Sequence, residues 1–116
     1  EGSIITNAYI VNSIIGIRTI IESGASLDGV YTMGSTYYES EEQKAENARK
    51  GIPNIGIGKA SIIRRTIIDM NARIGDGCRI GIDDIPRPDC DTENYSIHDG
   101  IIVIHKLAVI PNGTIL

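Results

Sequence analysis

The sequence predicts an all-β chain wound as a single-stranded parallel β-helix. Three observations carry this. Aliphatic residues recur every six positions, at Ile15, Ile21, Leu27 and Met33, then Ile62, Ile68, Ile74 and Ile80, then Ile104, Ile110 and Leu116. Small residues often stand two positions earlier, as at Ser13, Thr19, Ala25, Ala60, Thr66, Ala72, Cys78, Ala108 and Thr114. Roughly a fifth of the 116 residues are Ile, with five Tyr but no Phe and no Trp. A period of six is neither helical nor a plain strand alternation; it is the hexapeptide pattern of stacked coils. The aliphatic residue points inward, and the small one fits where the corner narrows. Three hexads, about 18 residues, close one triangular coil. β-branched side chains stack well from coil to coil, and large rings find no room.

The elements follow in order. Ala8-x-Ile10 opens the pattern, one residue out of phase with Ser13-x-Ile15. Gly or an acid often follows the aliphatic, as at Gly16, Glu22, Asp28, Gly34, Asp69, Gly75 and Gly81, where the chain turns. A first insertion spans about 35–54. Within it Ser40 and Gln43 form a capping-box pattern, Gly51 suits the residue after a helix, and Pro53 lies beyond. A short surface helix of two to three turns is expected. Ile55 to Lys59 re-enters the coil. The second insertion, about 82–99, carries Pro86, Pro88, Asp83, Asp84, Asp89, Asp91 and Glu93 and reads as a loop. The chain is one domain, 1–116, at a size typical of single domains.

Composition excludes several classes. Net charge is −4 and the isoelectric point is near 5.0, which argues against a general nucleic-acid binder. No apolar run approaches the ~20 residues of a membrane helix. Two cysteines, Cys78 and Cys90, are too few for a disulfide scaffold, so reduced thiols are expected. The start at Glu1, without Met or a basic leader, suggests a fragment or a processed chain.

Candidate chemistry is sparse. His98 and His105 are the two histidines. His98 adjoins Asp99, but neighbours on a strand point to opposite faces, so exposed histidines are the plainer reading. A three-histidine zinc site fits poorly, since only two histidines exist per chain. The run Ile55-Gly56-Ile57-Gly58-Lys59 lacks phosphate-loop spacing. The acids of the second insertion do not match a calcium loop. Lys59, Arg64, Arg65 and Arg73 crowd a stretch with one acid, Asp69, and suit either a small-anion site or a solvated edge.

The departures from the repeat carry a resemblance. Met33–Glu39 (MGSTYYE), Ile55–Lys59 (IGIGK), Ile67–Asp76 (IIDMNARIGD) and Gly100–Gly113 (GIIVIHKLAVIPNG) resemble the glucose-1-phosphate adenylyltransferase family, over essentially the whole chain. The resemblance is to the cyanobacterial and plant type, and to its C-terminal β-helix only. It implies left-handed coils, a hand that the spacing itself does not give. It also implies a parent enzyme that forms ADP-glucose and pyrophosphate from ATP and glucose 1-phosphate, with magnesium, for glycogen or starch. The catalytic N-terminal nucleotidyltransferase domain is absent, so no catalytic residue, cofactor or metal is expected in this part.

The implied role is regulatory and assembling. Implied partners are the catalytic domain, other subunits of a homotetramer, and a small anionic effector such as phosphate, sulfate or a sugar or glycerate phosphate. Neither nucleic acid nor a membrane is implied. The implied location is the cytoplasm, or the plastid in a plant. Lys106 matches the family's C-terminal activator lysine, and Asp69 matches the acid of its IID-K-NARIG coil. Met70 stands where that coil has a second regulatory lysine, and a thioether does not replace an ammonium toward phosphate. Arg73 or Arg65 is the candidate to compensate. Two rival readings remain: a hexapeptide acyltransferase with His98 or His105 as base, and a purely structural β-helix spacer.

Overall fold

A computed structural model describes residues 2–82 and 87–116. Asp83, Asp84 and Pro86 of the second insertion lie outside the described residues. The first coil contributes β1 (Ile4–Ile5), β2 (Tyr9–Val11) and β3 (Ile14–Ile17); the next contributes β4 (Ile20–Ile21), β5 (Ser26–Asp28) and β6 (Tyr31–Gly34). After α1 (Glu41–Lys50) come β7 (Gly56–Ile57), β8 (Ile62–Arg64) and β9 (Thr66–Ile68), then β10 (Arg73–Ile74) and β11 (Arg79–Ile80). The chain ends with β12 (Cys90–Asp91), β13 (Tyr95–His98), β14 (Ile101–Ile104) and β15 (Val109–Ile110). The coil strands pair in parallel into three faces: β1-β4-β7-β10-β15, β2-β5-β8-β11 and β3-β6-β9-β14.

The core is three columns. Ile5, Ile21, Ile57, Ile74 and Ile110 stack on the first face. Ile10, Leu27, Ile63 and Ile80 stack on the second, and Ile15, Thr32, Ile68 and Ile104 on the third. Hydrogen bonding fixes this register, and inward side chains with a coil on either side are shielded by both, whereas Ile5 at the sheet edge is 46% exposed. Ile21, Leu27, Ile63, Ile80 and Ile104 have no exposed surface at all.

The columns correct the repeat at two places. Leu27 lies on Ile10, Ile74 on Ile57 and Ile80 on Ile63, so these coils take 17 residues, not 18, and Ile21 lies on Ile5 after only 16. The missing residue is at the corner from the second face to the third. Asn12, Gly29 and Arg65 turn there in the left-handed region, with φ of 50°, 70° and 50°. Only one residue separates each from the preceding inward side chain. The inward residues are therefore Thr32 and Ile63, not Met33 and Ile62; Met33 is 41% exposed. Likewise Ser61, fully buried, takes the small position expected of Ala60. Thr32 is tolerated in an aliphatic column because its hydroxyl lies 3.2 Å from that of Thr19, which donates to the Gly16 carbonyl at 2.7 Å. Gly34 (φ 91°) is required here, since a Cβ would sit 2.0 Å from the Ile17 oxygen of the coil before.

The first insertion folds as expected. Gln43 N–H donates to the Ser40 hydroxyl at 3.1 Å, the Gln43 side chain accepts from Ser40 N–H at 2.8 Å, and Gly51 closes α1 at φ 72°. Glu41 and Glu42 in the first turn and Arg49 and Lys50 in the last suit the helix dipole. The sequence did not expose what fixes α1 to the coils, which is the Glu39 carboxylate. It accepts from Ile55 N–H at 2.7 Å, Asn47 Nδ2 at 2.6 Å and the Arg73 guanidinium at 2.9 Å. Arg73 also donates to the Pro53 carbonyl at 3.0 Å, and Asn47 to Asn54 at 2.9 Å. Burial by itself raises the Glu39 pKa, but the bonds from Ile55, Asn47 and Arg73 outweigh it, holding the carboxyl below its ordinary 4.5.

The second insertion departs from the loop reading. β13 pairs antiparallel with β14, and β12 with β13. His98 faces Ile101 across the two-residue turn Asp99-Gly100, with φ of 52° and 78°. That is the Asp-Gly hairpin turn, flanked by the alternation Tyr95-Ser96-Ile97-His98, in which Ile97 is buried. The density of Asp and Pro before it masked this signal. The hairpin extends the third face past β14, so that β14 is paired on both edges.

Two outcomes test this packing. Ile63→Ala costs about 3 kcal/mol and Ile62→Ala about 1 kcal/mol or less in denaturant unfolding; similar losses would refute the 17-residue register. Glu39→Gln costs about 3 kcal/mol at pH 7 by leaving Arg73 without its anion. Because the folded-state pKa of Glu39 is lowered, its contribution is full above its unfolded value and fades as pH falls through the lower folded value. Unfolding curves of parent and variant therefore draw together as pH falls below the ordinary 4.5 of a glutamate carboxyl.

Candidate functional site

The site is built at one corner of the prism, between the third face and the first. Ile68 pairs with Ile104 and Arg73 with Val109, so Asp69 to Ala72 stack directly on His105 to Ala108. Asn71 and Leu107 turn the two corners in the left-handed region, at φ 59° and 63°. Leu107 N–H donates to the Met70 carbonyl at 3.0 Å. Met70, half-buried, and Lys106, exposed, are therefore neighbours on adjacent coils. The Asp69 carboxylate accepts from Met70 N–H at 2.6 Å, which fixes it on its own turn.

The basic residues that crowd one another in sequence do not crowd in space. A 17-residue coil carries the stretch from Lys59 to Arg73 nearly once around the prism. Lys59 is exposed at the corner between the first and second faces, with its N–H on Asp76 Oδ1 at 2.8 Å. Arg64 and Arg65 sit at the corner between the second and third, where the Arg65 guanidinium donates to the Gly81 carbonyl at 3.3 Å. Arg73 is on the first face, engaged with Glu39 and Pro53. The corner thus brings together Lys106, Asp69 and Met70. Arg65 is placed on another edge, and Arg73 is committed to the α1 insertion.

The histidines belong to the hairpin. His98 Nε2 lies 3.2 Å from Asp91 Oδ1 on its surface. Ser96 and His98 beside Asp91 lower its pKa below the ordinary 3.8. His105 Nδ1 lies 3.1 Å from the Glu93 carbonyl, and Nε2 2.7 Å from Ser96 Oγ. A carbonyl only accepts, so Nδ1 carries a proton, and Nε2 is engaged by the Ser96 hydroxyl. Neither nitrogen is left for a substrate.

One groove lies elsewhere and holds neither histidine. About 480 Å³, it runs between α1 and the first face and is lined by Glu22, Lys44, Asn54, Lys59, Asp76 and Asn112, among others. Both signs of charge line it, and Lys44 already pairs with Glu41 at 3.3 Å. Among the described residues no three of His, Cys, Asp or Glu are grouped to hold a metal ion. Among them too, no helix is long and apolar enough to cross a membrane.

Triangular parallel coils with an inward aliphatic column on each face define a hexapeptide-type β-helix domain. The chain belongs to the family described as the GLGC left-handed parallel beta-helix domain, whose profile matches residues 1–115. It is 43% identical over 117 positions to the wheat (Triticum aestivum) glucose-1-phosphate adenylyltransferase small subunit, chloroplastic/amyloplastic. That match takes in all of this chain and 25% of the wheat protein. It is 42% identical over 118 positions to a maize (Zea mays) glucose-1-phosphate adenylyltransferase small subunit, covering all of this chain and 94% of that sequence. The chain thus spans a quarter of the wheat relative's length.

Proposed function

We propose that this chain is the regulatory and subunit-assembly domain of a glucose-1-phosphate adenylyltransferase. In that reading the whole protein forms ADP-glucose and pyrophosphate from ATP and glucose 1-phosphate. The observation that carries it is identity above 40% along the entire chain to adenylyltransferase small subunits, both insertions included. The chemistry, and the magnesium that assists it, belong to a separate catalytic domain. A plastid location follows if the source is a plant, and a cytoplasmic one otherwise. Assembly into a homotetramer engages this domain with other subunits.

Regulation rests on Lys106. Its exposed ammonium sits at a corner held by hydrogen bonds, where it pairs with a phosphate or sulfate group of an effector. Met70 beside it offers no charge, so the effector is held by fewer cationic contacts than a lysine pair would give. Arg73 and Arg65 do not make up the difference at this corner: one is bonded to Glu39 and the other lies on a different edge.

The test uses the full-length protein. Lys106→Ala raises the orthophosphate concentration that half-inhibits ADP-glucose synthesis about tenfold, the loss of one charge-assisted contact. An unchanged response to orthophosphate and to phosphorylated activators would exclude Lys106 from the site. Met70→Lys strengthens the same response several-fold.

A further inference from the structure

The hairpin of the second insertion is folded back onto the corner that carries Lys106, and it grips that corner on both sides. On the near side, His105 N–H donates to the Asn94 carbonyl at 3.0 Å and the His105 imidazole reaches the Glu93 carbonyl at 3.1 Å. Its other nitrogen meets Ser96 Oγ at 2.7 Å. On the far side, Val109 N–H donates to Asn94 Oδ1 at 3.1 Å. Lys106 to Ala108 are the residues between the two grips, and Lys106 and Leu107 are exposed.

The gripping turn is itself fixed. Thr92 N–H and Thr92 Oγ1 both donate to the Tyr95 carbonyl at 2.8 Å, and Tyr95 N–H donates to Thr92 Oγ1 at 3.0 Å. Glu93 and Asn94 at its tip thus offer two carbonyls and one amide oxygen on a rigid support. Without them, the His105 imidazole would keep only its contact with Ser96 Oγ. Ala108 N–H to the His105 carbonyl at 3.1 Å, Leu107 N–H to the Met70 carbonyl at 3.0 Å and Arg73 N–H to the Ala108 carbonyl at 2.8 Å would be left to hold the corner.

We infer that His105 and Asn94 are positioning residues for the anion site: through the hairpin turn they fix the corner from which Lys106 reaches the effector. This rests on the reading of Lys106 given above. A side chain held on a rigid backbone loses less freedom when it engages a ligand, so the clasp strengthens binding without touching the anion. It also gives the second insertion a purpose that an acidic loop would not have.

The experiment compares variants of the full-length adenylyltransferase, with orthophosphate as probe. His105→Leu and Asn94→Ala each raise the half-inhibitory concentration about fivefold, the effect of one lost hydrogen bond of ordinary strength. Both keep the kcat and KM measured without effector. His105→Asn, whose amide retains a donor near the Nδ1 position, restores most of the sensitivity to orthophosphate. A role confined to stability would lower the melting temperature of His105→Leu and leave its response to orthophosphate as in the parent. That result, with Lys106→Ala still insensitive, overturns the positioning role alone. If Lys106→Ala responds as the parent does, the site itself is misplaced and the inference falls with it.

Discussion

Parallel register between coils is the constraint on which the rest of this protein depends. Each strand is only two to four residues long, too short to be stable alone. Its hydrogen bonds run to the coils before and after it, and they place every inward side chain on the equivalent one of the next coil. The columns of Ile on three faces are a consequence of that register. So are the tight corners, at which four non-glycine residues named above (Asn12, Arg65, Asn71 and Leu107) accept left-handed backbone angles. The stacked ladder compensates for that local strain.

Polar residues then decide what is attached to the prism. Glu39 is almost fully buried, yet it is matched by an amide N–H, a side-chain amide and a guanidinium. That single carboxylate draws Arg73 away from the surface and holds α1 beside the first face. At the other insertion, Asn94 and His105 form a similar junction. Both insertions are laterally attached elements, each tied to the coils by a few directional bonds. The coils are continuous across them: Ile57 follows Ile21 in its column, and Ile104 follows Ile68. The corner with Met70 and Lys106 is the place where the coil ladder and the hairpin clasp meet.

The sequence determined the class of fold, because a period near six with an excess of Ile leaves few alternatives. It determined α1 through local chemistry: the Ser40–Gln43 box and Gly51 act within a few residues of themselves. Lys106 and Met70 were linked by the family resemblance, and the coil register puts them on adjacent corners. The Asp99-Gly100 turn and the alternation beside it are also a local signal, obscured by the acidic, Pro-rich residues before them. What only the tertiary structure decided are the quantities that depend on closure. A strict period of six puts Met33 and Ile62 inside; the triangle closes with one five-residue side, and Thr32 and Ile63 go in instead. Lys59, Arg64, Arg65 and Arg73 look like one basic cluster on a line, but a coil distributes them around its circumference. The pairing of Arg73 with Glu39, 34 residues away, and of His105 with the Glu93 turn has no periodic or local signature. Such contacts are set by where the stacked coils bring distant corners together, and the chain must close before they exist.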